Sequence, residues 1–334
     1  MNAPPRVSIA GAGVFGLATA LCLAEAGCAV EIWDEGAPSA SAMAAGMLAP
    51  VFEAALDPVA RPHADLLLAA RDLWPGAAAR WGVALDRTGA VAVGEPAWLA
   101  EVSASLPAPP VAVGADWLNT HAPGLRAPHH CGLLVAGDWR LDPPAALETL
   151  WRAAREAGVS VCHGRLDARP AGAILVVATG AAQELTPELV RLSPIKGHLA
   201  RVGGPARGPV VRADGVYAAP GFGGVTFGAT MEAGVADTMI DPACAAPLLR
   251  RGLALFPGLV DAPQTLAVGV RAATPDGLPM VGASVLSDTF LAVGARRNGW
   301  LLAPLVGRMV SAYVMGRDPG PYAARLNPAR FGAR

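Results

Sequence analysis

Residues Val7–Asp34, VSIAGAGVFGLATALCLAEAGCAVEIWD, decide the fold of this chain. An apolar run, Val7 to Ala10, has the length and composition of a buried strand. The sequence Gly11-Ala12-Gly13-Val14-Phe15-Gly16 follows it at once. Leu17 to Ala26 then has the apolar pattern of a helix that ends at Gly27. The stretch therefore predicts a strand, a glycine turn and a helix in immediate succession.

The three glycines of this turn have different roles in a nucleotide-binding βαβ unit. Gly11 permits the tight turn, Gly13 lets the backbone approach a pyrophosphate, and Gly16 allows close packing of the helix. The start of the helix offers unpaired N–H groups to phosphates. A second strand, Ala29 to Trp33, ends at Asp34, whose carboxylate would accept hydrogen bonds from ribose hydroxyls. This order of elements predicts a Rossmann-type fold rather than a glycine turn that binds nothing.

Length and charge bound the kind of protein. With 334 residues, of which 53% are hydrophobic, the chain can form one large domain or two smaller ones, which excludes a disordered or fibrous protein. Charged residues make up 16% and the formal net charge is -1, so no overall field would attract nucleic acid or an anionic membrane. We therefore expect small molecules as partners, and neither nucleic acid nor a membrane.

The uncharged stretch from Val7 to Ala24 also fits a signal anchor or a membrane span. The spaced glycines within it, and the acids Glu25, Glu31 and Asp34 that soon follow, argue against that interpretation. The 5 cysteines are scattered and form no C-x-x-C pair, as expected for reduced thiols. We expect a cytoplasmic protein, and the sequence leaves open whether it forms a homo-oligomer.

Beyond the first βαβ unit, helices alternate with strand-rich segments. Helical patterns cover Ala64 to Trp81, Pro144 to Ala157 and a final helix from Trp300 to about Met315. Short strands are expected from Val83 to Gly137 and from Leu192 to Val268. The predicted class is α/β, with a Rossmann-type nucleotide-binding domain and a second, mainly antiparallel β-sheet substrate domain (α+β). Their expected bounds are 1–82, 139–200 and 268–334 for the first and 83–138 and 201–267 for the second.

Further motifs spread over nearly the whole chain. The most specific joins Gly269-Val270-Arg271 with Asp276-Gly277-Leu278-Pro279 and Arg297-Asn298-Gly299 before an apolar helix. With these motifs the sequence resembles the FAD-dependent amino-acid oxidase superfamily, of the D-amino acid oxidase and sarcosine oxidase type. Within it the chain is most similar to the glycine oxidases of thiamine biosynthesis. The segments that carry the resemblance are Val7–Asp34, Ser41–Glu53, Leu141–Val161, Leu192–Glu232 and Gly269–Pro304.

The resemblance implies that the nucleotide-binding domain is an FAD-binding domain. The implied FAD contacts are Gly11, Gly13, Val14, Phe15, Gly16, Asp34, Glu35, Ala40, Ser41, Ala45, Gly46, Met47, Ala295, Arg296, Arg297, Asn298, Gly299, Trp300 and Leu301. It also implies that Tyr217 and Arg271 bind the substrate carboxylate, with Arg297 close to both substrate and flavin. The late cysteine that links flavin in the related covalent sarcosine oxidases has no counterpart after Cys244, so we expect non-covalent FAD.

The expected chemistry needs alignment more than reactive side chains. Hydride transfer from Cα to flavin N5 requires a neutral amine and a fixed substrate, but no nucleophile and no metal. The planar fork of Arg271 suits a carboxylate, and the Tyr217 hydroxyl would add a third hydrogen bond. Two alternatives stay open: Arg271 pairs with Asp276 across a turn, or Tyr217 is only a half-buried strand residue. The histidines show no ligand spacing, so no metal site is expected.

Several departures from the family pattern bear on the substrate. Ala272 replaces the usual proline, and Ala295-Arg296 stands where relatives carry His and an aromatic residue. The segment between Val161 and Ala173 is too short for the hairpin that normally covers the adenine, so its contacts cannot be transferred. Glu53 matches in position but receives no role. Arg296 either faces solvent or a nearby carboxylate, or it selects an amino acid with a second anionic group.

The function expected from these observations is FAD-dependent oxidative deamination of a small amino acid such as glycine or sarcosine. The products would be an imine, which water converts to a 2-oxo acid, and hydrogen peroxide if oxygen is the electron acceptor. Alternatives are a D-amino acid or N-methyl amino acid dehydrogenase with another acceptor, or a nicotinamide dehydrogenase. A non-catalytic flavoprotein or an RNA-modifying oxidase domain is the alternative from a different class; the absence of a basic run disfavours RNA.

Overall fold

The computed structural model describes residues 4–37, 39–205, 207–221 and 223–332, so the outermost residues of the predicted nucleotide-binding domain lie outside the described residues. In chain order the strands are β1 (Arg6–Ala10), β2 (Ala29–Asp34), β3 (Met47–Leu48), β4 (Ala90–Ala92), β5 (Val111–Val113), β6 (Gly132–Val135), β7 (Trp139–Arg140), β8 (Ser160–His163), β9 (Ile174–Val177), β10 (Ser193–Gly203), β11 (Val210–Ala213), β12 (Val216–Gly221), β13 (Gly224–Gly228), β14 (Glu232–Ala233), β15 (Gln264–Ala273), β16 (Met280–Ala283) and β17 (Thr289–Val293). The α-helices are α1 (Val14–Glu25), α2 (Ala40–Met43), α3 (Pro50–Leu56), α4 (Ala64–Trp81), α5 (Pro96–Ser105), α6 (Ala115–His121), α7 (Pro143–Glu156), α8 (Pro242–Leu255), α9 (Gly299–Val314) and α10 (Ala323–Leu326).

A six-stranded sheet carries the predicted βαβ unit. Its order is β16-β17-β9-β1-β2-β8, with β1 in the middle. The strands from β17 to β8 are parallel, and β16 runs antiparallel to β17. Helices α1 and α9 pack closely, since a Cβ on Gly307 would lie 2.6 Å from the carbonyl oxygen of Ala18. The predicted Rossmann-type fold is therefore confirmed.

The second large sheet has nine strands. Their order is β14-β10-β13-β12-β11-β4-β6-β5, and β15 pairs with β10. The sheet is antiparallel apart from the parallel pair of β11 and β4. The long pairing of β10 with β15 places Gly197 opposite Gly269 and Ile195 opposite Arg271. The predicted mixed class, with a mainly antiparallel second sheet, is confirmed. The division into two domains at the expected residue bounds stays a prediction, and the second sheet takes in β10 from Ser193 onward.

The segments expected to be strand-rich also contain helices, so that expectation was incomplete. Helices α5 and α6 lie within 83–137, and α8 lies within 201–267. Helix α8 buries Ala245, Leu248, Gly252 and Leu255, whose spacing of three or four residues marks one helical face. Asp241 caps its N-terminus by accepting from the Ala243 backbone N–H. This helix packs against β10, β12 and β13 of the large sheet. The spacing of its apolar residues could have predicted it from the sequence. No helix of the described residues is long and apolar enough to cross a membrane.

The glycine turn after β1 holds α1 against the parallel sheet. Gly11 has φ +100°, a left-handed conformation that suits glycine. A Cβ on Gly16 would lie 1.9 Å from the Gly11 carbonyl oxygen, whereas a Cβ on Gly13 would meet only Ser41 Oγ, at 3.4 Å. Gly16 is therefore required for the fold, while Gly13 leaves open space at the start of α1.

Gly16→Ala and Gly13→Ala should therefore fail in different ways. We expect Gly16→Ala to lower the free energy of unfolding of the FAD-free protein by about 1–3 kcal/mol, because backbone must move to admit the methyl group. Gly13→Ala should keep that stability within about 0.5 kcal/mol but weaken FAD binding, because the methyl group would occupy the path predicted for the pyrophosphate. Urea unfolding and FAD titration measure the two effects. Equal losses of stability in both variants would contradict this division.

Candidate active site

A cavity of about 600 Å³ opens at the carboxyl ends of the parallel strands. Ala10 of β1, Asp34 of β2 and Val293 of β17 line it, as expected for a ligand site of a doubly wound sheet. Gly197 of β10 and Arg271 of β15 line the side that faces the large sheet. The cavity therefore lies where the two sheets meet, and its volume falls in the range of small-molecule sites.

Most of the predicted cofactor residues line this cavity: Gly11, Gly13, Val14, Phe15, Asp34, Glu35, Ala40, Ser41, Ala295, Arg296, Arg297, Gly299 and Trp300. The other predicted cofactor residues lie outside its lining: Gly16, Ala45, Gly46, Met47, Asn298 and Leu301. Some of these serve the fold. A Cβ on Gly46 would lie 2.1 Å from the Leu141 carbonyl oxygen, and Met47 pairs with Arg140 between β3 and β7.

The cavity has the donors and acceptors that FAD requires. No side chain caps α1 at Gly13, so N–H groups of its first turn remain for phosphate oxygens. The Val14 N–H is the exception, because it donates to Ser41 Oγ at 3.0 Å. Trp300 Nε1 donates to the Ser41 carbonyl oxygen at 3.0 Å, and this hydrogen bond joins α9 to α2. Asp34 lines the cavity at the end of β2, and the prediction that its carboxylate accepts from ribose hydroxyls is compatible with this position. The residues present therefore fit FAD.

The cavity lining also includes residues that the sequence did not predict. Gly164, Arg165 and Leu166 line it, together with Trp151 of α7. They come in part from the short segment for which no adenine contacts could be transferred. The shortened segment thus still reaches the cavity, but no motif in the sequence marked these side chains.

Arg271 is a half-buried cation with no ion-pair partner among the described residues. Its only hydrogen bond there runs from Nη1 to the Thr230 carbonyl oxygen, at 3.4 Å. Burial lowers the pKa of its guanidinium below the ordinary value, and the nearby charge of Arg297 lowers it further. The alternative pairing with Asp276 was wrong, because Asp276 binds Arg330 at 2.8 Å. Arg271 remains available to an anion in the cavity.

Tyr217 lies beside this guanidinium on β12. It is buried rather than half-buried and is not part of the cavity lining. Burial raises the pKa of its phenol, so the hydroxyl is neutral and able to donate at physiological pH. A Cβ on Gly228 would lie 2.0 Å from the Tyr217 hydroxyl oxygen, so this glycine makes room for the phenol. The structure places Tyr217 near Arg271, and its contact with substrate stays a prediction.

Behind the cavity lies a set of charged side chains that we call the arginine–carboxylate cluster: Glu53, Asp57, Asp138, Arg212, Arg296 and Arg297. Glu53 Oε1 lies 3.1 Å from Arg297 Nη2 and 3.4 Å from Arg212 Nη2. Asp57 pairs with Arg296, and its Oδ2 lies 3.6 Å from Arg297 Nη1. The charge of Glu53 is the main reason that the pKa of Arg297 is raised.

Asp138 completes the cluster from the loop before β7. Its carboxylate accepts from the backbone N–H groups of Val51 and Phe52, at 2.9 and 2.8 Å, and so caps α3. Burial raises the pKa of Asp138 to about 6, although these N–H groups and the charge of Arg212 oppose the rise. At neutral pH the group is therefore mostly ionised and adds a third carboxylate to the cluster.

No motif in the sequence predicted this cluster. Glu53 and Asp57 are four residues apart and project from one face of α3 and its C-cap. Their partners come from β11 and from the segment before α9, so their pairing appears only in the folded chain. Among the described residues, no group of three His, Cys, Asp or Glu side chains is placed to hold a metal ion.

Gly197 provides the space for the Arg271 guanidinium, and this can be tested. A Cβ at position 197 would lie 2.2 Å from Arg271 Nη1. We expect Gly197→Ala to displace that flexible end and to weaken acetate binding to the flavin-loaded protein about tenfold, without loss of thermal stability. Gly203→Ala on the same strand is the matched control, because its Cβ would meet Pro263 at an ordinary 3.5 Å. Calorimetric titration measures both, and equal acetate affinity in the two variants would contradict the prediction.

Comparison with known proteins gives a consistent picture. Residues 6–313 match the family described as "DAO: FAD dependent oxidoreductase". The bifunctional protein ThiO/ThiG of Trichormus variabilis is 30% identical over 368 residues, which cover 97% of this chain and 55% of that protein. The tRNA 5-methylaminomethyl-2-thiouridine biosynthesis bifunctional protein MnmC of Caulobacter sp. (strain K31) is 28% identical, with 99% of this chain and 58% of that protein covered. This chain thus spans little more than half the length of these two relatives.

The solved structures give the same fold over the whole chain. Glycine oxidase from Geobacillus kaustophilus is similar with a TM-score of 0.85 and 26% identity, over 98% of this chain and 99% of that one.

Proposed function

Because this chain belongs to the family of FAD dependent oxidoreductases, we propose that it catalyses oxidative deamination of a small amino acid such as glycine or sarcosine. The observation that carries the proposal is the guanidinium of Arg271 at the wall of the FAD-type cavity, which has no ion pair with any residue that the structure describes. A guanidinium binds a carboxylate through two parallel hydrogen bonds and so fixes its direction. Similarity to a glycine oxidase over nearly the full chain also supports this substrate class.

The side chains of the site would align the substrate and offer a positive charge to its carboxylate. Arg271 would hold the carboxylate of the substrate, and the neutral phenol of Tyr217 would donate a hydrogen bond to the same carboxylate. Arg297, fixed by Glu53, stays near the cavity as a positive charge. The N-terminus of α9 at Gly299 adds unpaired N–H groups on the cavity side. FAD held there would supply the hydride acceptor; loss of a hydride from the substrate Cα and of a proton from its amine would leave an imine.

The remaining steps need no further side chain. Water hydrolyses the imine to a 2-oxo acid and releases the amine. With oxygen as the electron acceptor, hydrogen peroxide would be the second product; with another acceptor the protein would be a dehydrogenase. We place the protein in the cytoplasm, as the composition suggests.

Oxidation of a modified tRNA nucleoside is a second candidate, because the Caulobacter relative is named for tRNA modification. The charge of the chain does not favour it, since the formal net charge is -1. Anaerobic reduction of the bound flavin, described next, separates the two candidates when tRNA is included among the compounds tested.

Anaerobic reduction of the bound flavin tests the proposed function. We expect glycine or sarcosine to bleach the flavin absorbance, while tRNA leaves it unchanged. Arg271→Met should retain the flavin spectrum but lower kcat/KM at least about tenfold, because a charge-assisted contact to the carboxylate is lost. Arg325→Met, which removes an exposed partner of Asp65, serves as the matched control. Bleaching by tRNA alone, or unchanged kinetics in Arg271→Met, would overturn the proposal.

The mode of FAD attachment is a separate prediction. Acid precipitation should release all the flavin into the supernatant as FAD, because we expect no covalent link. Mass spectrometry of the precipitated protein should then give the mass of the unmodified chain. A yellow pellet, or a mass increase equal to a flavin, would show a covalent bond and leave the proposed reaction unaffected.

A further inference from the structure

The charges of the arginine–carboxylate cluster balance one another, but the nearby Arg271 stands outside this balance. In the arginine–carboxylate cluster, three carboxylates stand against three guanidinium groups, and these are joined by ion pairs or by the electrostatic contact of Asp138 with Arg212. Arg271 has no ion pair among the described residues, and Glu53, which is paired with Arg297 and Arg212, acts on it only from a distance. The cavity wall therefore offers one uncompensated positive charge to a ligand.

Arg296 is the residue that decides whether a second charge is available. It lines the cavity, and its charge is close enough to Arg271 to lower the pKa of that group. Its backbone is fixed by a hydrogen bond from its N–H to the Ala272 carbonyl oxygen at 2.7 Å, next to Arg271. Without a counter-ion, Arg296 would be placed to bind a second carboxylate of the same substrate.

Asp57 removes that possibility. Its side chain is 5% exposed and pairs directly with Arg296, whose side chain is 15% exposed. The other oxygen, Oδ1, accepts from the Val59 backbone N–H at 3.0 Å, which fixes the carboxylate in place. A second substrate carboxylate would have to compete with this buried pair and would meet the negative charge of Asp57.

We propose that Asp57 is a specificity-determining residue that masks Arg296, so that the site accepts amino acids with one carboxylate and rejects those with two. The sequence had left open whether Arg296 selects a second anionic group, and the ion pair with Asp57 favours the opposite outcome. The inference deepens the proposed function and rests on it only in taking the cavity beside Arg271 as the carboxylate site.

Two ethers that cannot be oxidised at an amine allow a test by binding alone. Methoxyacetate and diglycolate have the shapes of sarcosine and iminodiacetate, with oxygen in place of nitrogen, and they differ by one carboxylate. Calorimetric titration of the flavin-loaded protein gives a dissociation constant for each. We expect the wild-type protein to bind methoxyacetate at least about tenfold more tightly than diglycolate, since the second carboxylate finds no free cation.

Asp57→Asn should reverse this preference. The amide keeps an acceptor for Val59 but releases Arg296, while Arg297 retains Glu53. We expect diglycolate affinity to rise about tenfold and methoxyacetate affinity to change much less. Adding Arg296→Gln to this variant should return the ratio of the two affinities to the wild-type value. Asp65→Asn, which breaks an exposed pair with Arg325, is the matched control and should leave the ratio unchanged.

The single variant Arg296→Gln keeps the test valid if Asp57→Asn folds poorly. It should change both affinities by the same factor, because neither ligand uses Arg296 in the wild-type protein. The inference is overturned if wild-type protein prefers diglycolate, if Arg296→Gln weakens diglycolate selectively, or if Asp57→Asn leaves the ratio unchanged. Binding of neither ligand would overturn it as well, since the carboxylate site would then be absent. Failure of the proposed function appears separately, as a flavin that glycine and sarcosine do not reduce.

Discussion

A half-buried positive charge with no ion-pair partner among the described residues, the guanidinium of Arg271, organises this site. Burying an unpaired charge is costly, and burial lowers the pKa of Arg271 accordingly. Each guanidinium of the neighbouring cluster stands against a carboxylate, so the imbalance is confined to one side chain. Such a charge is tolerable where a ligand supplies the missing anion. Under the proposed function, that anion is the carboxylate of the substrate.

The fold delivers this charge to the cofactor cavity by joining its two sheets. Strand β15 belongs to the large sheet through β10, yet its last residue, Ala273, bridges to Ala295, just beyond β17 of the parallel sheet. Arg271 therefore lies next to the carboxyl ends of the parallel strands. The absence of a side chain at Gly197 leaves the space that its guanidinium fills. The position of the Arg271 guanidinium beside the cofactor cavity thus follows from the way β15 connects the two sheets.

Local patterns in the sequence predicted the first βαβ unit, and the family resemblance implied a role for Arg271, but neither predicted the charges around this residue. The glycine turn and α1 follow from short-range rules, and the large cavity at Asp34 follows from the βαβ order. Glu53 and Asp57 could not be interpreted, because their partners Arg212 and Arg296 are distant in sequence and pair only after folding. Gly46 matched a cofactor motif, although the folded chain uses it for a close backbone contact. Helix α8 was missed because strand-like runs surround it.

The most direct test of the role of Arg271 is a crystal structure of the flavin-loaded protein with methoxyacetate. We expect the ligand carboxylate to accept two hydrogen bonds from the Arg271 guanidinium at about 2.7–2.9 Å, with Arg296 still paired to Asp57. A carboxylate bound away from Arg271, or Arg271 paired with a carboxylate of the protein itself, would contradict the central role given to this residue.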